Sequence, residues 1–345
     1  MAKPDIILAM SGGVDSSVAI SLLSDYNVIG VTFIFCGDAG GATAAAQTAR
    51  KFGIPHHIID RRSDFTERVV VPFAQSYQSG ETPNPCVLCN RVMKFPALFD
   101  AAEQLGCEYV ATGHYARCEN GTLMCALDGN GQVSPKDQSY MLYGLTPQQL
   151  KRIVFPLGNI SKAAVRERAA QLGLACADTP DSQDICFIPD GDYAAYIKNF
   201  AKTEFSSGSF VSSSGEVLGK HNGHIHYTPG QRRGLGLSHH SRLYVVGKCA
   251  KTNVVTLGEK CELYTNSFNL KDVVWHTDIS DKFKNDLAVK VRYSAKPEPC
   301  SVEICNNTAT AVCSLTSGNC IAAPGQSAVF YVGEKVIGGG IIAAE

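Results

Sequence analysis

Three cysteines lie in two polar loops whose composition suits sulfur chemistry. Cys86 and Cys89 belong to the proline-rich segment Thr82–Asn90, and Cys186 belongs to the segment Gln183–Phe187. The thiolate is the reactive form of cysteine, and a helix N-terminus lowers a thiol pKa. Because the first segment precedes a helical pattern, we expect Cys89 at a helix start with a lowered pKa. A zinc knuckle at this pair is the alternative, but zinc needs a second close ligand pair.

A glycine-rich stretch near the start of the chain has the composition of a phosphate site. Ser11–Ser17 reads Ser-Gly-Gly-Val-Asp-Ser-Ser between the apolar run Ile6–Ala9 and the helical run Val18–Leu23. Adjacent glycines let the backbone approach an anion, and the helix that follows carries partial positive charge at its N-terminus. We expect Ser16 and Ser17 to cap this helix. Since the stretch lacks the lysine of a Walker loop, it predicts a cradle of backbone amides and hydroxyls; an ordinary glycine-rich turn is the alternative.

Composition restricts the class of protein that carries these residues. The chain has 345 residues, a formal net charge of −1, 45% hydrophobic and 18% charged residues, and 14 cysteines. This length favours two or three domains. Neither a signal peptide nor an apolar run of transmembrane length is recognised, so we expect a cytoplasmic protein with no membrane contact. In that compartment thiols stay reduced, and most of the cysteines are expected to be small buried hydrophobes.

The elements that position the two sites alternate between strand and helix. This βαβ repetition predicts a doubly wound, mostly parallel sheet with ligands at the carboxyl ends of its strands. The glycine-rich loop, the end of the second strand and Gly113–His114 should then meet at one edge. The predicted strands are Ile6–Ala9, Val28–Phe35, His57–Ile59 and Tyr109–Thr112, and the predicted helices are Ala42–Phe52, Phe65–Tyr77 and Arg91–Leu105.

The remainder of the chain predicts a hairpin, three further helical segments and then an all-β region. Asn120–Gly121 marks the hairpin, Ser161 the N-cap of a helix, and Lys136–Tyr140 a helical segment, while a helix at Tyr193–Phe200 closes the first domain. We therefore expect a catalytic α/β domain at 1–200, a central β-rich domain at 201–262 and a C-terminal β-barrel at 263–345.

A basic region lies in the central domain. Between Glu216 and Lys260 the acids are Glu216 and Glu259, against Lys220, Arg232, Arg233, Arg242, Lys248, Lys251 and Lys260. Such a local excess indicates a surface for a phosphate backbone; a solvated face with scattered charge is the alternative.

Taken together, these residues resemble one family. The chain is similar to the tRNA-specific 2-thiouridylases (MnmA/TrmU family) of the PP-loop ATP pyrophosphatase superfamily, and the similarity extends over nearly the whole chain in family order. It rests on Ser11–Ser17, Thr82–Asn90 with Lys94–Phe95, Ala111–Tyr115, Lys136–Tyr140, Ile185–Ile188, Tyr227–Gly236, Val291–Tyr293 and Pro324–Ser327.

This resemblance implies a function and a role for each matched position. The family adenylates the 2-oxygen of the wobble uridine with ATP and Mg²⁺, and then replaces it with sulfur, releasing pyrophosphate and AMP. Cys186 would receive a persulfide sulfur from a cysteine desulfurase or relay protein, and Cys89 would release that sulfur, leaving a Cys89–Cys186 disulfide. A monomer is implied. ATP would bind Ala9, Met10, Ser11, Gly12, Gly13, Val14, Asp15 and Ser16, with Phe33 and Gly113 near the adenosine. The uridine would contact Asn84, Pro85 and Cys86, and the tRNA would contact His114, Lys136, Asp137, Gln138, Arg292, Tyr293 and Gln326.

Two departures from the family pattern leave alternatives open. Cys86 stands where the best-known members have an aspartate, and the segment after Phe35 lacks the acidic insertion that is frequent in the family. A thiol is a weaker acid than a carboxyl group, so Cys86, Cys89 and Cys186 could instead bind three corners of an iron–sulfur cluster. Two other functions remain as hypotheses. A PP-loop ligase for a small molecule would give the thiols no role, and a non-catalytic RNA-binding protein would not need them.

Overall fold

The computed structural model describes residues 2–37, 39–179, 185–278, 286–305, 309–316 and 320–344. The chain divides into two compact units, each discontinuous in sequence. The first comprises Met1–Val69, Cys86–Phe187 and Gly333–Ile337, and the second comprises Val70–Pro85, Ile188–Val332 and Gly338–Glu345. The three-domain boundaries expected from the sequence stay a prediction.

The elements follow the order that the sequence predicts, with short additions. The strands are β1 (Asp5–Ala9), β2 (Asn27–Ile34), β3 (His56–Asp60), β4 (Tyr109–Thr112), β5 (Ala116–Glu119), β6 (Thr122–Cys125), β7 (Ile153–Val154), β8 (Gly208–Ser212), β9 (Val217–His221), β10 (Tyr244–Cys249), β11 (Val254–Gly258), β12 (Ser267–Trp275), β13 (Leu287–Lys290), β14 (Glu298–Ile304), β15 (Ala311–Leu315), β16 (Ser327–Val332) and β17 (Lys335–Ile342). The α-helices are α1 (Val14–Leu22), α2 (Gly40–Phe52), α3 (Arg62–Phe65), α4 (Val71–Gln78), α5 (Pro85–Cys89), α6 (Phe95–Gln104), α7 (Pro147–Leu150), α8 (Lys162–Gln171) and α9 (Tyr193–Ala201).

The first unit contains a parallel five-stranded sheet in the order β3-β2-β1-β4-β7. Ala9, the last residue of β1, lies opposite Val31 of β2 and Thr112 of β4. The carboxyl ends of these three strands therefore meet at one edge, where α/β proteins bind ligands. This confirms the predicted doubly wound α/β fold.

Helices cover the central strand of this sheet, which explains its uninterrupted apolar sequence. Ile6, Ile7 and Leu8 are fully buried, as expected for a strand with both faces covered. A cluster that includes Ile6, Leu8, Ala45 and Ala49 joins β1 to α2. The short alanine side chains of α2 allow a close approach to the sheet.

The start of α1 differs from the prediction. Gly13 occupies the N-cap position in an extended conformation and no side chain caps the helix. Ser16 and Ser17 lie inside the first turn, where both hydroxyls donate to the Gly13 carbonyl oxygen, at 3.2 and 2.8 Å. The expectation that these serines cap the helix was therefore wrong, and the first backbone N–H groups of α1 are left for another acceptor.

Two predicted helices each contain a wider turn just before a proline. The segment predicted at Phe65–Tyr77 has a π-helical turn at Thr66–Val70, and the one predicted at Arg91–Leu105 has such a turn at Asn90–Lys94. In both cases the following α-helix has a proline at its start. Proline lacks the N–H of a regular helical bond and its ring crowds the preceding carbonyl, which accounts for the wider turn.

Several local predictions are confirmed. Gly53 ends α2 in the left-handed conformation with φ of 66°. Asn120 and Gly121 form the tight turn between β5 and β6, with φ values of 52° and 75°. Ser161 caps α8 by accepting a hydrogen bond from Ala164 N–H. The segment Lys136–Tyr140 becomes helical only as a 3₁₀ turn from Ser139.

The second unit is rich in β-structure. One sheet has the order β10-β11-β8-β9 and packs around Phe210, Tyr227 and Val245. Six other strands follow the order β12-β15-β14-β13-β16-β17, and pairing of β12 with β17 closes them into a barrel. The predicted C-terminal β-barrel is therefore confirmed. Closure gives each of these six strands a partner on both sides.

Candidate active site

The glycine-rich loop follows β1 directly, and hydrogen bonds from β2 fix its first residue. The backbone N–H of Met10 donates to the Val31 carbonyl oxygen at 2.8 Å. The buried hydroxyl of Thr32 donates to the Met10 carbonyl oxygen at 2.7 Å, and the same hydroxyl lies 2.9 Å from His56 Nε2. These contacts hold the loop at the carboxyl edge of the sheet.

The loop also packs closely against the start of α2. Gly12 has φ of +80°, and a Cβ atom there would lie 2.4 Å from the Gly41 carbonyl oxygen. A Cβ atom on Gly41 would in turn lie 2.9 Å from the Ser11 carbonyl oxygen. Only residues without side chains fit this approach. The N-termini of α1 and α2 therefore both lie near the loop, which suits an anion.

Asp15 is held in a small polar network. Lys162 Nζ lies 2.7 and 2.9 Å from its two carboxylate oxygens, and the Tyr115 hydroxyl donates to it at 2.7 Å. Lys162 also lies 5.8 Å from the centre of the Tyr115 ring. Sequence reasoning missed Lys162, because nothing in the α8 sequence relates it to a loop 147 residues earlier.

The end of β4 contacts the same helix start. A Cβ atom on Gly113 would lie 2.9 Å from the backbone nitrogen of Ser16, so this position also requires glycine. Phe33, near the end of β2, stacks on Phe35 with a centroid distance of 5.6 Å. The structure thus brings the predicted ATP-binding stretch Ala9–Ser16 and Gly113 together. Phe33 lies two positions after Val31, the β2 residue whose carbonyl oxygen accepts the hydrogen bond from Met10.

The thiols predicted to be catalytic lie in one cluster that also contains a cation. The charges of Cys86, Cys89 and Cys186 influence one another, and Lys94 interacts with all three. Cys186 is exposed, whereas Cys89 is half-buried. Cys36 joins this cluster after the end of β2: its Sγ lies 3.6 Å from the Cys186 carbonyl oxygen, to which it donates. Sequence reasoning did not single out Cys36.

The predicted environment of Cys89 was wrong. Cys89 is the last residue of the short helix α5, and helical backbone continues through Asn90–Lys94 into α6. Cys89 therefore does not occupy the first position of its helix, where free N–H groups would lower its pKa. Burial raises the pKa of Cys89 to about 11, while the Lys94 ammonium and backbone N–H oppose this rise. Burial likewise raises the pKa of Cys86.

The residues expected to contact tRNA in the first unit differ in exposure. His114 Nδ1 lies 2.7 Å from Thr112 Oγ1, and burial, followed by the charge of Lys94, lowers the His114 pKa well below its usual value. Lys136 is exposed. Asp137 is buried and accepts hydrogen bonds from Ala126 N–H and the Ser139 hydroxyl, at 2.9 and 2.8 Å. The Asp137 carboxylate thus joins the backbone at Ala126 to the 3₁₀ turn that begins at Ser139.

Gln138 has a similar structural contact. Its Oε1 accepts a hydrogen bond from the Tyr115 backbone N–H at 2.9 Å, which links this segment to the network around Asp15. Asn84 and Pro85 precede Cys86 at the start of α5, so they enter the site loop by chain continuity.

The expected tRNA residues of the second unit also contact neighbouring loops. Arg292 donates to the Pro229 carbonyl oxygen at 2.8 Å, and Gln326 Nε2 donates to the Thr82 carbonyl oxygen at 2.6 Å. Tyr293 is an exposed aromatic residue. In the basic region, a cavity of about 260 Å³ is lined by polar and cationic groups that include Arg232, His239 and Arg242.

Comparison with known proteins identifies the family of this chain. Three family models match consecutive parts of the chain: the tRNA methyl transferase HUP domain at 4–190, the tRNA methyl transferase PRC-barrel domain at 195–259 and the aminomethyltransferase beta-barrel domain at 265–342. The tRNA-specific 2-thiouridylase MnmA of Rickettsia typhi is 42% identical over 98% of both chains. The MnmA protein of Rickettsia prowazekii is also 42% identical over 98% of both chains. The chain belongs to the MnmA family.

Among the described residues, the thiol cluster of Cys86, Cys89 and Cys186 does not form a metal site. Within the described ranges, no group of three or more His, Cys, Asp and Glu side chains is placed to hold a metal ion. Cys86, Cys89 and Cys186 are therefore not arranged as a ligand set in this conformation. In the same part of the chain, every helix is too short or too polar to cross a membrane.

A pH titration of this MnmA-family protein should show how strongly Lys94 assists Cys89. With a pKa of about 11, Cys89 is a thiol at neutral pH, and its alkylation by iodoacetamide should accelerate until the pH approaches that value. Lys94→Met removes a charge that favours the thiolate, so the pKa should rise further and alkylation at pH 9 should slow. Peptide-resolved mass spectrometry measures this rate. The matched control is Lys3→Met, which removes an exposed lysine in another part of the sequence. Equal Cys89 rates in the two variants would contradict the role of Lys94.

Proposed function

We propose that this protein catalyses the ATP-dependent 2-thiolation of the wobble uridine in tRNA, as a tRNA-uridine 2-sulfurtransferase. The observation that carries the proposal is the presence, in one unit of a full-length MnmA-family chain, of a phosphate-type loop and a thiol cluster beside Lys94. The two sites supply the two halves of a sulfur substitution. Activation of an oxygen requires the loop, and delivery of sulfur requires the thiols.

The activating half uses ATP as a substrate. A uracil carbonyl oxygen is a poor leaving group, so it is first adenylated and pyrophosphate departs. The stretch Ala9–Ser16 receives the phosphates through backbone N–H groups at the start of α1, which no side chain caps. Lys162, already paired with Asp15, adds a cation at this edge. Phe33 and Gly113 lie at the strand ends where the adenosine would bind.

Mg²⁺ would accompany ATP and supply charge neutralisation at the phosphates. Asp15 is the carboxylate within the loop, and it already accepts hydrogen bonds from Lys162 and Tyr115. Because the Asp15 carboxylate is engaged in these hydrogen bonds, the ligands that would best fit Mg²⁺ are phosphate oxygens and water. Asp15 would position the loop.

The sulfur-delivering half uses the cysteines. Cys186 is exposed and can meet a sulfur-donor protein, a cysteine desulfurase or relay protein, whose persulfide transfers its outer sulfur to the Cys186 thiolate. Attack by a second thiol on Cys186 Sγ then releases hydrosulfide, which displaces AMP from the uracil C2. We assign this second thiol to Cys89, and the two cysteines are left as a disulfide. Lys94 stabilises both thiolates.

The substrate is brought to these thiols as an unstacked base. An anticodon uridine can leave its stack at low cost, and enzymes acting on a base atom need this displacement. Asn84, Pro85 and Cys86 lie next to Cys89 in sequence and are assigned to the uridine. The tRNA backbone is assigned to Lys136, His114, Arg292, Tyr293 and the basic region around Arg232 and Arg242, with Asp137, Gln138 and Gln326 shaping the loops that contact it.

The test is a complete reaction with purified components. Wild-type protein, ATP with Mg²⁺, a persulfide donor and an unmodified tRNA with a wobble uridine should yield 2-thiouridine, detected by mass spectrometry of the nucleosides. AMP and pyrophosphate should form in equal amounts with it. Omission of ATP and a tRNA with cytidine at the wobble position are the controls. Formation of ADP, or nucleotide turnover without any thiolated nucleoside, would contradict the proposal and favour a ligase acting on a small molecule.

A further inference from the structure

The structure places Cys36 against Cys186, and neighbouring aromatic residues hold this arrangement. Phe35 stacks on Phe65 with a centroid distance of 5.5 Å, and Phe65 contacts Phe187 edge-to-face at 5.6 Å. Phe65 and Phe187 are both buried. Because Phe35 and Phe187 are the chain neighbours of Cys36 and Cys186, this aromatic bridge fixes the two backbones that carry the thiols.

Cys36 and Cys186 are also joined by hydrogen bonds. The Cys36 thiol donates to the Cys186 carbonyl oxygen at 3.6 Å. When Cys36 ionises, the Cys186 thiol donates to it, and the pKa of Cys36 falls to about 7 although burial and the charge of Cys89 oppose this. The same contact with Cys36 raises the pKa of Cys186. With a pKa of about 7, Cys36 is partly ionised near neutral pH, whereas Cys89 with a pKa of about 11 is protonated there.

We propose that Cys36 is a third reacting thiol of the site, which attacks a persulfide on Cys186 and becomes its disulfide partner. The proposal rests on the proposed function in that Cys186 carries the persulfide. The Cys36 thiolate attacks Cys186 Sγ, so that a Cys36–Cys186 bond forms and the bond between Cys186 Sγ and the outer sulfur breaks. The outer sulfur departs with the electron pair as hydrosulfide. Two cysteine sulfurs are oxidised to a disulfide and the transferred sulfur is reduced, so no other oxidant or reductant takes part.

The reactivity of thiols supports this assignment. Attack on a sulfur–sulfur bond is fastest when the attacking thiol has a pKa near the ambient pH and when the leaving group is a weak base. Cys36 meets the first condition and hydrosulfide meets the second. Cys186 therefore has two alternative partners: Cys89 beside the uridine-contacting segment, and Cys36 at the end of β2.

The experiment uses the full-length protein, glutathione persulfide as the sulfur donor, and no tRNA. The four proteins are wild type, Cys36→Ser, Cys89→Ser and Cys305→Ser, the last of which removes an exposed thiol at the end of β14. Released sulfide is measured over time, and non-reducing peptide mapping identifies the persulfide and the disulfide formed.

We expect wild type and Cys305→Ser to release sulfide at the same rate and to yield a Cys36–Cys186 disulfide, and we expect Cys89→Ser to form that same disulfide. In Cys36→Ser, sulfide release should fall by about tenfold or more, and the persulfide should persist on Cys186. Release at the wild-type rate by Cys36→Ser, or a wild-type disulfide that joins only Cys89 and Cys186, would overturn the proposal. If no variant takes up sulfur on Cys186, the proposed function itself is contradicted. Uptake without dependence on Cys36 contradicts only this inference.

Discussion

Replacing Cys186 by serine is expected to abolish 2-thiouridine formation, with a loss of at least about a thousandfold, the scale seen when a covalent nucleophile is removed. A serine hydroxyl cannot carry a persulfide, and neither Cys36 nor Cys89 then has a sulfur–sulfur bond to attack. Cys186 is exposed, so the substitution creates no cavity and the melting temperature should change little. Nucleoside mass spectrometry and a thermal melt measure the two effects.

Pyrophosphate release from ATP by the Cys186→Ser variant distinguishes the activation of the uridine from the transfer of sulfur. If the loop adenylates the uridine independently of the thiols, tRNA-dependent pyrophosphate release should continue while sulfur transfer stops. Cys305→Ser should behave as wild type in both assays, because it removes an exposed cysteine outside the cluster. Wild-type rates of 2-thiouridine formation in Cys186→Ser would show that sulfur reaches the base by another route.

Replacing Gly12 by alanine is expected to weaken ATP binding by about a hundredfold, the cost of losing one or two backbone hydrogen bonds to a charged phosphate. The new Cβ atom would lie 2.4 Å from the Gly41 carbonyl oxygen and 3.0 Å from Ala44 Cβ. Both neighbours belong to α2, so either the loop or the start of that helix must move. The N–H groups at the start of α1 would then no longer point to the phosphates. Isothermal titration calorimetry with ATP measures the change.

Gly53→Ala is the matched control for this substitution. Gly53 has φ of +66° and nothing lies within 4 Å of a Cβ atom there. Alanine at either position adopts the left-handed conformation at a cost of about 1–2 kcal/mol, but only alanine at position 12 meets another chain segment. Gly53→Ala should therefore lower the melting temperature and leave the ATP affinity unchanged. Similar ATP affinities in the two variants would show that the close approach of Gly12 and Gly41 does not organise the site.

Local sequence determined the elements and much of the ATP loop. The run Ile6–Ala9 specifies a strand covered on both faces, and the glycines that follow specify a turn into a helix. Asn120–Gly121 specified its hairpin, because few residues adopt positive φ. The mostly parallel sheet followed from βαβ repetition and the handedness of crossovers. Such features depend on neighbours within a few residues, which is why sequence reasoning found them.

Tertiary packing decided the electrostatics of the thiols. The sequence predicted a lowered pKa for Cys89, but the π-helical turn at Asn90–Lys94 continues the helix past it, and burial raises its pKa. Segments that are distant in sequence together bury a side chain, so a local sequence pattern does not predict how far burial shifts its pKa. Lys94 reaches the cluster for the same reason, although its segment matched the family.

Only the tertiary structure could reveal Cys36 and Lys162 as parts of the site. Cys36 contacts Cys186 across 150 positions of sequence, and Lys162 contacts Asp15 across 147. A cysteine in a loop and a lysine at a helix start are common, and neither indicates chemistry by itself. Parallel strands, however, bring all their carboxyl ends to one edge, and residues beyond those ends meet there whatever their separation in the chain. The sequence by itself determined that the chain contains residue types suited to phosphate and sulfur chemistry, and the packing of strand ends decided which of these side chains lie together.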